Sequence, residues 1–252
     1  MILDRDSVIA SNEEILPGIR RMTVEAAADF LEEATPGRFV QIEVSPSEFP
    51  LVRRPFTISL KGDGWFQILY EVRGRGTDIL SGLGPGRTVR VLGPLGSGYR
   101  MAGGRWLLVG GGLGAAGFPC LAGEVDSCLM LLGASTGGRL LEFPGIDSDC
   151  ITEDGTSGRS GVVTDLLQDV RWEEYSAVAL CGPVAMMKAV VRKVPTNLMD
   201  LVQVSTEARM GCGWGACEGC SIPAAGGGYL KCCSDGPVIR ADLIDWDLWE
   251  GV

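Results

Sequence analysis

The sequence predicts an α/β and β multi-domain protein of three parts. An antiparallel β-barrel spans 1–100, a parallel α/β domain 101–204, and a small C-terminal domain 205–252. Three observations carry this. Short β-type runs punctuated by Gly and Pro fill the first region, as in antiparallel barrels. Strand-like and helix-like patterns alternate in the second, which implies parallel strands joined by crossovers. The third is rich in Cys and Gly and poor in periodicity, so something other than a hydrophobic core must hold it.

In the first region the runs are Ser7–Ile9, Arg21–Val24, Phe39–Val44, Phe56–Leu60, Phe66–Val72 and Thr88–Leu92, with a helical turn at Asp29–Ala34. The string Arg53-Arg54-Pro55-Phe56-Thr57 is chemically specific. Arg is suited to bidentate contact with a pyrophosphate, an aromatic ring two residues on can lie against a flavin, and the hydroxyl after it can hydrogen-bond the ring edge. Leu69, Tyr70 and Glu71 follow, then Arg73-Gly74-Arg75-Gly76-Thr77, where Gly76 and Thr77 would offer backbone N–H groups and a hydroxyl to phosphate. The alternatives are an ordinary strand with exposed arginines and a Gly-rich hairpin.

In the second region Trp106–Val109 reads as a buried strand, followed by Gly110-Gly111-Gly112-Leu113-Gly114 and an apolar helix. The glycines Gly111, Gly112 and Gly114 would let a dinucleotide pyrophosphate approach the chain. No acidic residue stands at a clear strand end about 20 residues on, so spacing does not distinguish NADH from NADPH. Cys128–Leu132 and Ala177–Cys181 are further strands, a helix begins within Gly161–Asp169, and Val184–Lys193 is a helix. Strand C-terminal ends are where open α/β sheets bind ligands, so Cys181 could face a nicotinamide. A buried structural cysteine is the alternative.

The third region contains Cys212-x4-Cys217-x2-Cys220 and later Cys232-Cys233. This is the plant-type [2Fe-2S] spacing, with either of the last two as the fourth thiolate. Glycines at 211, 213, 215 and 219 would let the loop wrap a cluster. A four-cysteine zinc site is the alternative, against which the x4 arm counts. The Trp246–Trp249 stretch is suited to packing on a neighbouring domain or subunit.

Composition narrows the chemistry. The 252 residues carry a net charge of −10 and no histidine. The acidity argues against nucleic acid and against an anionic membrane. The lack of histidine removes histidine-based nucleophile pairs and Rieske clusters, so chemistry near neutral pH must come from a cofactor, a shifted acid or a thiol. The apolar run Trp106–Gly123 is broken by glycines and a proline and reads as strand, turn and helix rather than a membrane span. With no secretory signal at the start and nine cysteines, a reducing, cytoplasmic setting is expected.

Together these strings resemble the ferredoxin-reductase superfamily, and within it the electron-transfer subunits of two-subunit, NAD-dependent dihydroorotate dehydrogenases. The resemblance rests on Pro36–Phe39, Arg54–Thr57, Gly74–Thr77, Leu92–Gly96, Gly110–Gly114, Glu153–Gly155, Cys181–Pro183, Glu207–Met210 and Cys233–Pro237. It implies an FAD barrel, a nicotinamide domain and a [2Fe-2S] domain. Arg54, Pro55, Phe56, Thr57, Leu69, Tyr70 and Glu71 would hold the flavin, with Gly76 and Thr77 near its pyrophosphate. Cys212, Cys217, Cys220 and Cys233 would be the cluster ligands. It further implies hydride transfer from NADH to FAD and relay through the cluster to the FMN of a catalytic partner subunit in a heterotetramer, serving pyrimidine biosynthesis. The same module in a hydrogenase or a ferredoxin:NADP oxidoreductase is an alternative, as is a zinc-stabilised interaction protein. Two departures stand out. Gly117 lies where the family usually has proline, and Ser135–Gly138 lacks the charged residues expected after that strand.

Overall fold

The structure, a computed structural model, describes residues 2–45 and 50–251. Its first sheet is built from β1 (Leu3–Leu16), β2 (Ile19–Glu25), β3 (Phe39–Glu43), β4 (Arg54–Thr57), β5 (Leu60–Gly62), β6 (Trp65–Glu71) and β7 (Thr88–Leu95), in the order β4-β3-β7-β1-β2-β6-β5. All its pairings are antiparallel. β1 and β2 are joined at Pro17-Gly18, where the proline presets its own φ and Gly18 takes φ +74°.

The sheet curls into a half-barrel. After β4 the chain passes from one sheet edge toward the other: Ile58 N–H donates to Arg38 O at 3.1 Å and Ser59 N–H to Gln67 O at 2.8 Å. Inside the curl, alternate residues bury Ile9, Met22, Val24, Val40, Ile42, Phe66, Ile68 and Val91, with Ile58 and Phe30 beside them. Phe30 comes from α1 (Ala28–Glu33) and stacks on Phe66 at 5.0 Å. A second helix, α2 (Arg75–Ser81), fills the β6–β7 connection and buries Leu80 in the same core.

The second sheet contains β8 (Arg105–Gly111), β9 (Ser127–Ala134), β10 (Ser148–Thr152), β11 (Arg159–Ser160), β12 (Ala177–Cys181), β13 (Val202–Ser205) and, from the C-terminal region, β16 (Val238–Arg240). Its order is β11-β10-β9-β8-β12-β13-β16, parallel except for β16. Strands β8 and β12 are almost continuously buried, as a parallel sheet covered on both faces requires. Leu107 and Val109 face one core with Val163 and Leu166 of α4 (Val163–Leu166) and Met187 and Val190 of α5 (Val184–Val191). Trp106 and Leu108 face the opposite core with Phe118 and Leu121 of α3 (Phe118–Ala122). Pro119 sits in the first turn of α3, where a missing N–H costs nothing. The run from Trp106 is thus strand, 3₁₀ turn and helix. Among the described residues, no helix is long and apolar enough to cross a membrane.

The strand order reverses between β8 and β12. In an open α/β sheet the crevice at such a switch point lies beyond the strands' C-terminal ends, here the Gly110–Gly114 loop and Cys181–Pro183.

The expectation of a third domain carrying an iron–sulfur centre is corrected. Beyond β13 the chain forms a hairpin, β14 (Ser221–Pro223) with β15 (Tyr229–Lys231), and returns as β16 on the edge of the α/β sheet. Cys220, Ile222, Cys232, Cys233, Ile239, Ile244 and Trp249 are buried in the same core as Val178, Leu180, Val202 and Val204. Trp246 donates to Ala241 O at 2.8 Å and lies 5.6 Å from Trp249, so this apolar stretch packs within the chain. Among the described residues, no group of three or more Cys, Asp or Glu is placed to hold a metal ion.

Candidate functional site

A cavity of about 1300 Å³ opens between the two sheets. One wall comes from the half-barrel and contains Arg54, Pro55, Phe56, Thr57, Leu69, Tyr70 and Glu71. The opposite wall contains Gly111, Gly112, Gly114, Gly182 and Pro183, the turns beyond β8 and β12. Ile19 and Ala116 also line it, beside the apolar cluster they form with Leu69 and Leu141. Residues from both sequence-derived motifs therefore face one space.

The half-barrel wall is rigidly backed. Arg54–Thr57 is β4, paired to β3 so that Phe56 lies opposite Val40. Phe56 and Tyr70 meet at 5.7 Å with tilted rings. The Tyr70 hydroxyl donates to Asn12 Oδ1 at 2.9 Å, and the Asn12 amide donates to Leu80 O and Leu83 O, both at 2.9 Å. Asn12 thus fixes the tyrosine and the end of α2 together. Burial raises the Tyr70 hydroxyl above its ordinary value, with Asn12 and Arg20 pulling the other way.

A smaller hollow of about 240 Å³, lined by Arg54, Arg73, Gly74, Arg75, Gly76 and Thr77, shares Arg54 and Arg73 with the main cavity. An added Cβ on Gly76 would stand 2.7 Å from Arg54 Nε, so the glycine leaves the guanidinium its present place along the hollow. The Thr77 hydroxyl accepts from Arg73 N–H at 3.0 Å and donates to Gly74 O at 3.1 Å, capping α2. The Gly-rich string is therefore a helix start rather than a hairpin.

Across the cavity, an added Cβ on Gly114 would lie 2.6 Å from Gly182 Cα and 2.7 Å from Gly182 N. The two turns touch backbone to backbone. At Gly117, the site of the departure, an added Cβ would meet the Thr57 side chain, with Cγ2 at 2.8 Å. Cys181 is buried at the end of β12 and is not among the lining residues, whereas its neighbours Gly182 and Pro183 are. Burial pushes its thiol up to about 12, with Glu207 adding to the effect, so it is a neutral thiol behind the wall.

Three charged residues to which the sequence motifs assign no role, Glu207, Arg139 and Arg209, also line the cavity. Glu207 follows β13 and is solvent-exposed where it lines the cavity; the protein packed around the opening still desolvates it enough to raise its carboxyl, opposed by Arg73. Arg139, in a 3₁₀ turn after β9, reaches across to Glu71, Nη1 to Oε1 at 2.9 Å. It lies one residue beyond the stretch that lacked charge. Arg209 also lines the cavity. The sequence signal for Glu207 and Arg209 was their place just before the cysteine segment; for Arg139 there was none.

In that segment, Cys220 and Cys233 pair with each other, Sγ to Sγ at 3.2 Å, and both are buried. Gly215 N–H donates to Cys233 Sγ at 3.1 Å. Cys212 Sγ accepts from Ala216 N–H at 3.3 Å and Cys217 N–H at 3.4 Å, while Cys217 is exposed. Burial works to raise the Cys212 thiol, but the N–H groups of Trp214, Cys217 and Ala216 bring it down to about 6. Cys232 bonds instead with Thr206, and burial pushes its thiol up to about 12. Its thiol is engaged on the β13 side, apart from the Cys220–Cys233 pair. The thiols are engaged by one another, by backbone and by Thr206, and among the described residues they form no metal-holding group. The expected [2Fe-2S] cofactor on Cys212, Cys217, Cys220 and Cys233 is corrected on this ground, as is the zinc alternative.

Comparison with known proteins adds the following. The profile of the family described as "Iron-sulfur cluster binding domain of dihydroorotate dehydrogenase B" matches residues 207–245. The chain is 38% identical over 226 residues to the dihydroorotate dehydrogenase B (NAD(+)) electron transfer subunit of Bacillus caldolyticus, covering 83% of this chain and 86% of that one. It is 34% identical to the corresponding subunit of Lysinibacillus sphaericus over 255 residues, with coverages of 94% and 97%. Among solved structures, a chain of the NADH-dependent reduced ferredoxin-NADP oxidoreductase matches with TM-score 0.82 and 28% identity, covering 96% of this chain and 90% of that one. An Amycolatopsis cytochrome P450 reductase matches with TM-score 0.62 at 21% identity, over 81% of this chain and 69% of that one, which speaks to the fold alone.

Proposed function

The chain belongs to the family of dihydroorotate dehydrogenase B (NAD(+)) electron transfer subunits, within the ferredoxin-reductase superfamily, and from that premise we propose how its cavity serves the family's chemistry. It is an NAD(H)- and FAD-linked oxidoreductase. The observation that carries the proposal is that both motif sets line one cavity from opposite sides.

In this reading the half-barrel wall holds FAD. Phe56, Tyr70 and Leu69 give an apolar and aromatic face for the isoalloxazine, and Thr57 and Glu71 border its polar edge. Arg54 and the start of α2 at Gly76-Thr77 suit the pyrophosphate, combining guanidinium charge with free backbone N–H groups. The residues fit the group, because Gly76 leaves Arg54 room to lie along the hollow. Bound there, FAD supplies two-electron exchange with a nicotinamide and one-electron exchange with other carriers.

The remaining work is positioning. Gly111, Gly112 and Gly114 let a dinucleotide approach the ends of β8 and β12. Cys181, kept neutral by burial, packs behind the nicotinamide position and takes no proton at working pH. Ile19, Leu69 and Ala116 keep that side of the cavity apolar and exclude water. No general acid or base is required, in keeping with a chain that has no histidine.

The relatives' name as an electron transfer subunit supports a partner that completes the reaction, an FMN-containing dihydroorotate dehydrogenase catalytic subunit in a heterotetramer. The likeness to the NADH-dependent reduced ferredoxin-NADP oxidoreductase supports a second reading, the same module with another partner. Anaerobic NADH titration of the FAD-loaded chain tests the cavity. Bleaching of the flavin bands is expected, and bands unchanged by NADH refute the nicotinamide half. Co-purification of an FMN protein with dihydroorotate oxidase activity supports the first partner, and its absence in favour of another oxidoreductase supports the second.

A further inference from the structure

We infer that Arg139 is the phosphate clamp of the dinucleotide site, held over the cavity by Glu71 until a dinucleotide arrives. The inference rests on the proposed reading of the cavity and concerns a residue outside every motif.

Five arginines line the cavity among the described residues. Arg53, Arg54 and Arg73 belong to the half-barrel side, and Arg209 follows β13. Arg139 alone rises from the strand ends of β8–β10. Its turn lies beyond β9, and β9 is the immediate neighbour of β8, with Gly111 opposite Gly133. A cation placed there stands one strand from the glycine loop where a pyrophosphate would rest.

The base of Arg139 is built. Gly137 N–H donates to Thr156 Oγ1 at 2.7 Å, Arg139 N–H to Thr136 O at 3.0 Å, and the next residues, Leu140 and Leu141, are buried. Its side chain is 57% exposed, while that of Glu71 is 18% exposed. A half-exposed ion pair of this kind contributes little, about 0–1 kcal/mol. A phosphate offers the guanidinium two parallel charge-assisted bonds, so exchanging Glu71 for phosphate is easy. Glu71 is not stranded by the exchange, because Arg73 Nε lies 3.6 Å from its other oxygen.

The test uses the FAD-loaded full-length chain with NADH and an artificial electron acceptor, and separately titrates ADP-ribose, which carries the phosphates but no nicotinamide. Arg139→Ala should raise KM for NADH about tenfold and change kcat less than twofold, the loss expected for one charge-assisted bond. ADP-ribose affinity should fall by the same factor, flavin content should not change, and Arg139→Lys should recover part of the loss. Glu71→Gln should tighten ADP-ribose by freeing the clamp. If NADH bleaches the wild-type flavin but Arg139→Ala leaves both KM and ADP-ribose affinity within twofold of wild type, the assignment is overturned by itself. If NADH does not bleach the wild-type flavin, the reading of the cavity falls and this assignment with it.

Discussion

The contact between Gly114 and Gly182 gives a sharp test of how the cavity is assembled. An alanine Cβ at 114 would lie 2.6 Å from Gly182 Cα and 2.8 Å from Cys181 C, where ordinary contact begins near 3.4 Å. The neighbours are backbone and cannot swing aside, so the turns beyond β8 and β12 must part by about 0.8 Å. Overpacking of this kind costs about 1–3 kcal/mol. For a chain of this size that corresponds to a Tm lower by about 2–12 °C. Both turns line the proposed nicotinamide wall, and displacements near 1 Å can cost about 100-fold in rate. Gly114→Ala should therefore lower kcat/KM for NADH by about 10- to 100-fold while the flavin, held by the other wall, stays bound. Gly84→Ala is the control, since a Cβ there meets nothing within 4 Å, and it should stay within about 0.5 kcal/mol of wild type. Differential scanning calorimetry and NADH-dependent acceptor reduction read the two effects. A Gly114→Ala protein with wild-type Tm and wild-type kcat/KM would refute the close approach of the turns.

Three further outcomes follow from single residues. Asn12→Ala would strand the buried Tyr70 hydroxyl and two carbonyls; a loss of about 2–3 kcal/mol is expected from urea unfolding, with the m-value unchanged. Gln41 is fully buried on β3 and neither its Nε2 nor its Oε1 has a partner among the described residues, so Gln41→Met, similar in shape and apolar, should stabilise by about 1 kcal/mol in the same assay. The folded-state value of Glu207 is raised above 4.5. Its cost to stability is therefore absent below the unfolded value and grows as pH rises through the folded one. Glu207→Gln should raise Tm more at pH 7 than at pH 4, and an equal change at both would contradict the desolvation of this carboxyl.

What could be read from the sequence was what the local backbone determines. Arg54–Thr57 and Gly110–Gly114 each encode a short segment with its own ligand-facing geometry, and both line the cavity. Tertiary pairing was less legible. The run at Ser7–Ile9 is part of a 14-residue strand, because partners on both sides satisfy its polar outer residues, which carry no alternating signal of their own. A Gly-rich hairpin was the alternative at Gly74–Thr77, but Thr77 caps a helix whose Leu80 is drawn into the core. Strand β10, which carries Asp149 and Cys150, falls outside the strand runs read from the sequence. Nothing near Val238–Arg240 announces that it will lie beside β13, and nothing near Arg139 or Asn12 names Glu71 or Tyr70, since each pairing is made by chain folding back from far away.

The C-terminal region shows how a sequence pattern and a packing solution can diverge. Its glycines and cysteines suggested a segment unable to hold itself by burial. Burial nonetheless holds much of it, because Cys220, Cys232 and Cys233 act as small apolar side chains among Ile222, Ile239 and Trp249 in the core of the α/β sheet. Cys212 and Cys217 differ, lying in a Gly-rich loop outside that core, with one thiol drawn down by backbone N–H groups. The segment is also tied to the cavity through β13. Thr206, the first residue past that strand, donates its N–H and its hydroxyl to Pro237 O, both at 2.8 Å, and contacts Cys232 Sγ at 3.3 Å. Thr206, Glu207 and Pro237 all border the cavity. Rearrangement around the buried cysteines would therefore move the cavity wall at Thr206 and Glu207, and the Cys212–Cys217 loop is tied to those cysteines by the bond from Gly215 N–H to Cys233 Sγ.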